Sequence, residues 1–338
     1  MINEIVVQLQ KEDNHIWLLH LWEHCVIRNF ERKLLEQDLD DQGIIINGRT
    51  FLDATTIEIF YPEISLKSRI LSIITQAMTD ISSNLIENEI PIITDEISYI
   101  DIDDEEKTIY DGLRATENDN ILNLYESIDF PVEKISDKFS ELVNYVKVAE
   151  FSDDKLDLKE RSSSVRTKRV EDDCAVSKNS NFLSLDIKLW IKDTREYLIG
   201  YFLAFMIGMT EDSIVQKRYL SPNNKYLGYT QYIMYNGNAH ILLLIDVKNI
   251  DRISIMDILP NGIFSNMSPK NFRRQLNGFK TYIGLYLSKY DLCKDILKID
   301  DIPNSFSIEH LLSDIDTITI DDIQEFYERV KFSDLKKV

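Results

Sequence analysis

Two histidines and a glutamate fall in one short run, His20-Leu21-Trp22-Glu23-His24, at a spacing that suits metal-assisted hydrolysis. On a helix, residues three and four apart share a face, so the two imidazoles and the carboxylate project together. Two neutral imidazoles at that spacing can hold one divalent cation, and zinc is the usual occupant of a paired-histidine site. The carboxylate between them is then placed to act on water activated at the metal instead of binding the metal. The flanks (Ile16, Trp17, Leu18, Leu19, Leu21, Trp22, Val26, Ile27 and Phe30) are apolar and contain no helix breaker, so they are expected to bury both imidazoles. A single histidine on an apolar helix is more often a packed core residue than a ligand. Here two of the chain's five histidines fall four apart with a glutamate between them. Burying all three groups without partners costs several kcal/mol, and a metal removes that cost.

A catalytic zinc takes three protein ligands and leaves one position for water. His15 is five residues from His20 and points elsewhere, His240 falls in an expected strand, and His310 lies near the end of the chain. A carboxylate on another helix is the alternative. Glu89 and Glu96 are seven apart, two helical turns on one face, with Pro91 expected in the helix's first turn. Taken alone, that segment reads as two solvated surface carboxylates.

The elements that must position these groups follow from periodicity. A short strand over 4–9 precedes a helix over about 15–36 that carries the histidines. Two extended runs follow, the second being the β-branched and aromatic stretch Thr55 to Tyr61. Helices are expected over 65–82, around 89–100 and over 132–148. Between 150 and 181 the apolar period lapses into Asp, Lys, Ser and Arg, which reads as a solvated linker that includes the Arg161 to Arg169 cluster. Beyond it, Leu183, Leu185, Ile187, Leu189 and Ile191 alternate as in a half-buried strand. A helix from about Arg195 follows, then a hairpin at Asn236-Gly237, and closing helices after Ser268-Pro269 and over 320–330. Strand, helix, hairpin and helices thus occur twice. Two similar α+β domains, 1–150 and 182–338, joined by the charged linker 151–181, are the simplest account.

Composition narrows the function. At 338 residues the chain is long enough for two domains, each with its own core. A net charge of −20 leaves no broad basic face for phosphates, which argues against nucleic-acid binding and favours solubility or cationic peptide substrates. No apolar run reaches membrane-spanning length, the best being 197–209, and the start of the chain lacks the basic and apolar stretches of a signal peptide. Cys25, Cys174 and Cys293 are scattered with no CxxC, so neither a disulfide framework nor a thiolate zinc site is expected. A reducing, cytoplasmic setting fits this usage.

These residues together resemble the pitrilysin/insulinase metallopeptidases, the inverzincins that include the mitochondrial processing peptidases. H-x-x-E-H is His20 to His24; Asn47, Thr50 and Thr55, preceded by Gly43, match the family's strand signature. Gly208 to Ser213, followed by Arg218 and Leu227-Gly228-Tyr229, is similar to its Arg/Tyr element, and 318–323 to the start of its last helix. Departures are Gly48 where a small Ala is usual, a short segment before His20, and a long spacing from Arg218 to Tyr229 with Ser221 to Asn224 as an insertion.

The resemblance implies an α+β half-size subunit of two domains, each a mostly antiparallel sheet packed against helices, that hydrolyses peptide bonds with one zinc. His20, His24 and Glu96 would be ligands, with Glu89 behind them. Glu23 would be the base, and Tyr229 and Arg218 oxyanion stabilisers. Asn47, Gly48, Arg49 and Thr50 would form a substrate-binding strand edge. It also implies a homologous subunit as partner, in a heterodimer or homodimer, and small or unstructured peptide substrates, including peptides matured in bacteria. A non-catalytic, substrate-gripping subunit of such a heterodimer is the competing class. A metal-bound structural protein is a third, in which Glu23 has no task.

Overall fold

Apolar residues at three- and four-residue spacing from Ile16 onward fold as the 21-residue helix α1 (Ile16–Glu36). The computed structural model describes residues 3–10, 16–117, 131–152, 155–160, 172–210, 213–217, 228–246, 259, 264, 267–286, 294–299, 302, 305–330 and 336–337. Strand β1 (Asn3–Gln10) precedes α1, and β2 (Ile45–Thr50) and β3 (Ala54–Tyr61) follow it. Next come α2 (Lys67–Thr79), α3 (Ser83–Ser98), α4 (Asp104–Glu117) and α5 (Val132–Leu142). Strands β4 (Val146–Ser152), β5 (Lys155–Glu160), β6 (Asp173–Lys178) and β7 (Phe182–Trp190) lead to α6 (Thr194–Ala204), which continues into a π-helical turn. The chain ends with β8 (Gly228–Tyr235), β9 (Asn238–Asp246), α7 (Pro269–Tyr286), β10 (Ser305–Ser307), α8 (Ile308–Ile315), α9 (Ile320–Arg329) and β11 (Lys336–Lys337).

These elements form two compact units. The first (Met1–Asp101, Leu122–Val165, Pro303–Ile308) holds a six-stranded sheet of order β10-β5-β4-β1-β3-β2, antiparallel throughout. Its core joins Ile5, Val7 and Leu9 of β1 and Ile57 and Ile59 of β3 to Trp17, Leu21 and Trp22 of α1, with α2 and α3 packed against that helix. β2 is left as the edge beside α1. The second unit (Ile102–Ile121, Arg166–Ile302, Glu309–Val338) holds a five-stranded sheet of order β11-β6-β7-β9-β8, antiparallel except for the parallel β11–β6 pair. Asn236 and Gly237 close the β8–β9 hairpin at φ 48° and 66°, both left-handed, as a two-residue type I′ turn requires. The architecture is α+β, with two sheets packed against helices.

Several local expectations change. The helix expected over 132–148 stops at Leu142, and Val146 and Val148 enter β4, where they pair with β1 and are buried. Two strands lie inside the expected solvated linker. Leu156 and Leu158 alternate with polar residues in β5, and β6 pairs with β7. The Arg161 to Arg169 cluster lies outside the described residues. β7 is covered on both faces, not one, because α4 lies across Ser184 and Asp186 at Gly112, and Thr116 donates to Asp186. Pro91 sits mid-helix, since α3 already starts at Ser83 with Ser82 accepting from the Leu85 amide. The helix forgoes the backbone bond a residue at 91 would donate, a cost that packing must offset.

Candidate metal centre

The two histidines emerge where the burial of α1 is incomplete. His20, His24 and Ile27, at i, i+4 and i+7, form a partly open stripe among buried neighbours. The imidazoles keep 21% and 17% of their side-chain surface instead of being fully buried, because the stripe faces α3 and not the sheet. An accessible edge of this kind is what a ligand for an exchangeable site needs. The rings stand 4.9 Å apart and nearly perpendicular.

α3 supplies the carboxylates. Glu96 brings Oε2 to 3.5 Å from His20 Nε2 and 3.6 Å from His24 Nε2, and one donor atom from each of the three residues lies within 4.8 Å of the others. Ligands of one zinc, with bonds of about 2.0–2.1 Å, stand about 3.4 Å apart, which the two separations from Glu96 approach. Burial, aided by the charge of His24 and opposed by that of Glu96, lowers the pKa of His20 and keeps its imidazole neutral, the form that offers a lone pair. Two imidazole nitrogens and one carboxylate oxygen are a donor set suited to zinc.

Two turns further back in α3, the buried Glu89 places Oε2 at 3.2 Å from His24 Nδ1. An ionised carboxylate only accepts, so Nδ1 carries the proton and Nε2 is left to face Glu96. Arg28 Nε stands 3.7 Å from the other Glu89 oxygen.

Glu23 is 5% exposed and is not among the three clustered donors. It points instead at the β2 edge, where the Thr50 hydroxyl donates to its Oε2 at 2.5 Å. Burial pushes its carboxyl pKa up, and the Thr50 hydrogen bond is the main opposing influence. A Cβ on Gly48 would come within 2.7 Å of Glu23 Cγ and Cδ, and closer still to Oε1. The four candidate substrate residues therefore divide. Gly48 and Thr50 face α1, while Asn47 and Arg49 are exposed on alternate positions, with Asn47 donating to Glu58 at 3.4 Å.

Tyr229 belongs to the second unit, on β8, where its hydroxyl donates to the Glu105 carboxylate of α4. Arg218 lies outside the described residues. The same unit holds a buried polar network that periodicity did not reveal. His240 Nδ1 is 3.0 Å from both oxygens of Asp186, and Nε2 is 3.2 Å from Glu117, off the angle of a hydrogen bond. Lys188 lies 3.3 Å from Glu117 and donates to the Thr116 carbonyl. Burial opposes charge on His240, but the two carboxylates prevail and raise its pKa to about 9.

No family model matches the sequence, and no curated protein matches it. Solved structures do match the fold, and the likeness is one of fold: two of them are described as proteases and one as a peptidase M16 inactive domain. A protease from Helicobacter pylori superposes with a TM-score of 0.59 at 12% identity, over 97% of this chain and 90% of that one. The periplasmic protease PqqL from Escherichia coli gives 0.60 at 12% identity, over all of this chain and 45% of that one. A peptidase M16 inactive domain from Pseudomonas fluorescens gives 0.56 at 9% identity, over 96% and 88%.

Proposed function

We propose that the chain is a zinc-dependent endopeptidase for small or unstructured peptides and forms one half of a two-half chamber. The observation that carries this reading is the convergence of His20, His24 and Glu96 to ligand spacing, with Glu23 beside them and outside the donor set. His20, His24 and Glu96 would hold the zinc, which would supply Lewis acidity toward a carbonyl and a water. Glu23 takes a proton from the attacking water and passes it to the leaving amine. Glu89 holds His24 in the tautomer that presents Nε2. The edge strand β2 offers main-chain groups to which an extended peptide adds as a further strand, so recognition relies little on peptide side chains.

The chain spans 45% of PqqL, which supports the half-chamber reading and a homologous subunit as partner, in a heterodimer or as a second copy. Removal of a leader from a bacterial peptide is a suitable task for such a subunit. A second reading, a non-catalytic partner that grips substrate, is favoured by the likeness to a domain described as inactive. The fold is common to both readings, so the choice rests on the donor set and on Glu23, and these favour catalysis. The test is metal analysis of the purified chain with hydrolysis of an unstructured peptide, alone and with candidate partner subunits. One zinc per chain and chelator-sensitive cleavage are expected. Bound zinc without cleavage in any combination favours the second reading.

A further inference from the structure

Thr50 was expected to serve the peptide, yet its hydroxyl is already committed to Glu23. It has one proton, and that proton goes to Glu23 Oε2. The Thr55 hydroxyl, 2.8 Å away and fully buried, must then be the donor to Thr50. Thr50 and Thr55 are cross-strand partners that close the β2–β3 hairpin, whose turn is fixed by the Phe51 amide donating to the Ala54 carbonyl at 2.7 Å. The hairpin register therefore sets a one-way chain of hydroxyls ending on the glutamate. The other carboxylate oxygen, Oε1, lies over Gly48, in the space a Cβ would fill. Oε2 is tied down, and Oε1 stays uncommitted beside the edge to which a peptide would pair.

We propose that Thr50 is a positioning residue for Glu23, oriented by Thr55, with Gly48 providing the seat for the carboxylate. β2 then fixes the base and aligns the peptide in one frame, so the proton acceptor and the scissile carbonyl keep a set separation. The catalytic half of this inference rests on the peptidase reading, whereas the seating of Glu23 does not.

The test compares Thr50→Val, Thr50→Ser and Thr55→Val. A misplacement of about 1 Å in such a group costs on the order of 100-fold in rate. Thr50→Val is expected to lose about 30- to 100-fold in kcat, with KM within about twofold and zinc stoichiometry unchanged. Thr50→Ser restores kcat to within about threefold of wild type, and Thr55→Val gives a smaller loss of the same kind. Crystal structures of the metal-free proteins supply a readout independent of activity: in Thr50→Val the Glu23 carboxylate leaves its place over Gly48, and in Thr50→Ser it stays. An unchanged carboxylate in Thr50→Val, a kcat within twofold of wild type, or a loss confined to KM overturns the assignment. If the zinc-loaded wild type cleaves no peptide, the peptidase reading fails, and the crystal structures still decide whether Thr50 seats Glu23.

Discussion

Glu89→Gln keeps the shape of a buried side chain and removes its charge, so it isolates what that charge does for His24. Glu89 is 5% exposed, and its Oε2 accepts from His24 Nδ1 at 3.2 Å. A hydrogen bond to a charged group is worth about 1.5–3 kcal/mol, and partners behind metal ligands typically change affinity by about 10- to 100-fold. Near-complete burial argues for the upper part of that range. Arg28, 3.7 Å from the second oxygen, already neutralises part of the charge and pulls the value down. Zinc binding by Glu89→Gln should therefore be about 30-fold weaker, or about 2 kcal/mol. Competition against a chromophoric chelator measures it, with Glu87→Gln as the control because Glu87 is exposed on the same helix. A dissociation constant within threefold of wild type, or a loss no larger than in Glu87→Gln, would refute the claim that Glu89 holds His24 for the metal.

Glu96→Ala removes a proposed ligand, not its support, and should weaken zinc by more than the roughly 100-fold ceiling for a supporting residue in the same assay; full occupancy at equimolar zinc would dismiss Glu96 as ligand. If the Tyr229 hydroxyl serves the transition state, as the family resemblance implies, and does not only bond Glu105, Tyr229→Phe lowers kcat by about 100-fold with KM within threefold; a pure rise in KM would place Tyr229 in substrate binding. The His240 network sets a pH dependence of stability. The folded pKa of about 9 lies above the ordinary 6.5, so the stabilisation is complete below pH 6.5 and is lost as pH rises through 9. Urea unfolding should show a fall of about 3 kcal/mol across that interval, and Asp186→Asn should flatten it; an unchanged slope in that variant would exclude the pair as its source.

What could be read from sequence was set by how local each determinant is. His20, Glu23 and His24 were legible because helical periodicity alone puts i, i+3 and i+4 on one face. The Asn236-Gly237 hairpin was legible because both residues tolerate the left-handed backbone they adopt. Glu96 needed the family resemblance, since its approach to the histidines depends on how α3 packs on α1. The Thr50 contact with Glu23 joins a strand to a helix 27 residues away, and no pattern within either segment signals it. Pro91 misled through its usual place in a first turn. Packing retains it inside α3, between the two glutamates that face α1. The charged stretch after residue 150 read as solvated, because isolated leucines among Asp and Lys look alike in a linker and in a strand that adds to a sheet. Asp186, Lys188 and Glu117 look like surface charges one at a time, and only their mutual pairing with His240 makes burial affordable.

The central claim is that Glu23 moves protons and does not bind the metal. Zinc content and cleavage of an unstructured peptide, measured side by side on wild type and Glu23→Gln and assembled with the same partner subunit, test it most directly. The account predicts one zinc per chain in both proteins, and hydrolysis in the wild type that falls by at least about 1,000-fold in the variant. Zinc lost together with activity in Glu23→Gln, or hydrolysis that survives the substitution, would contradict it.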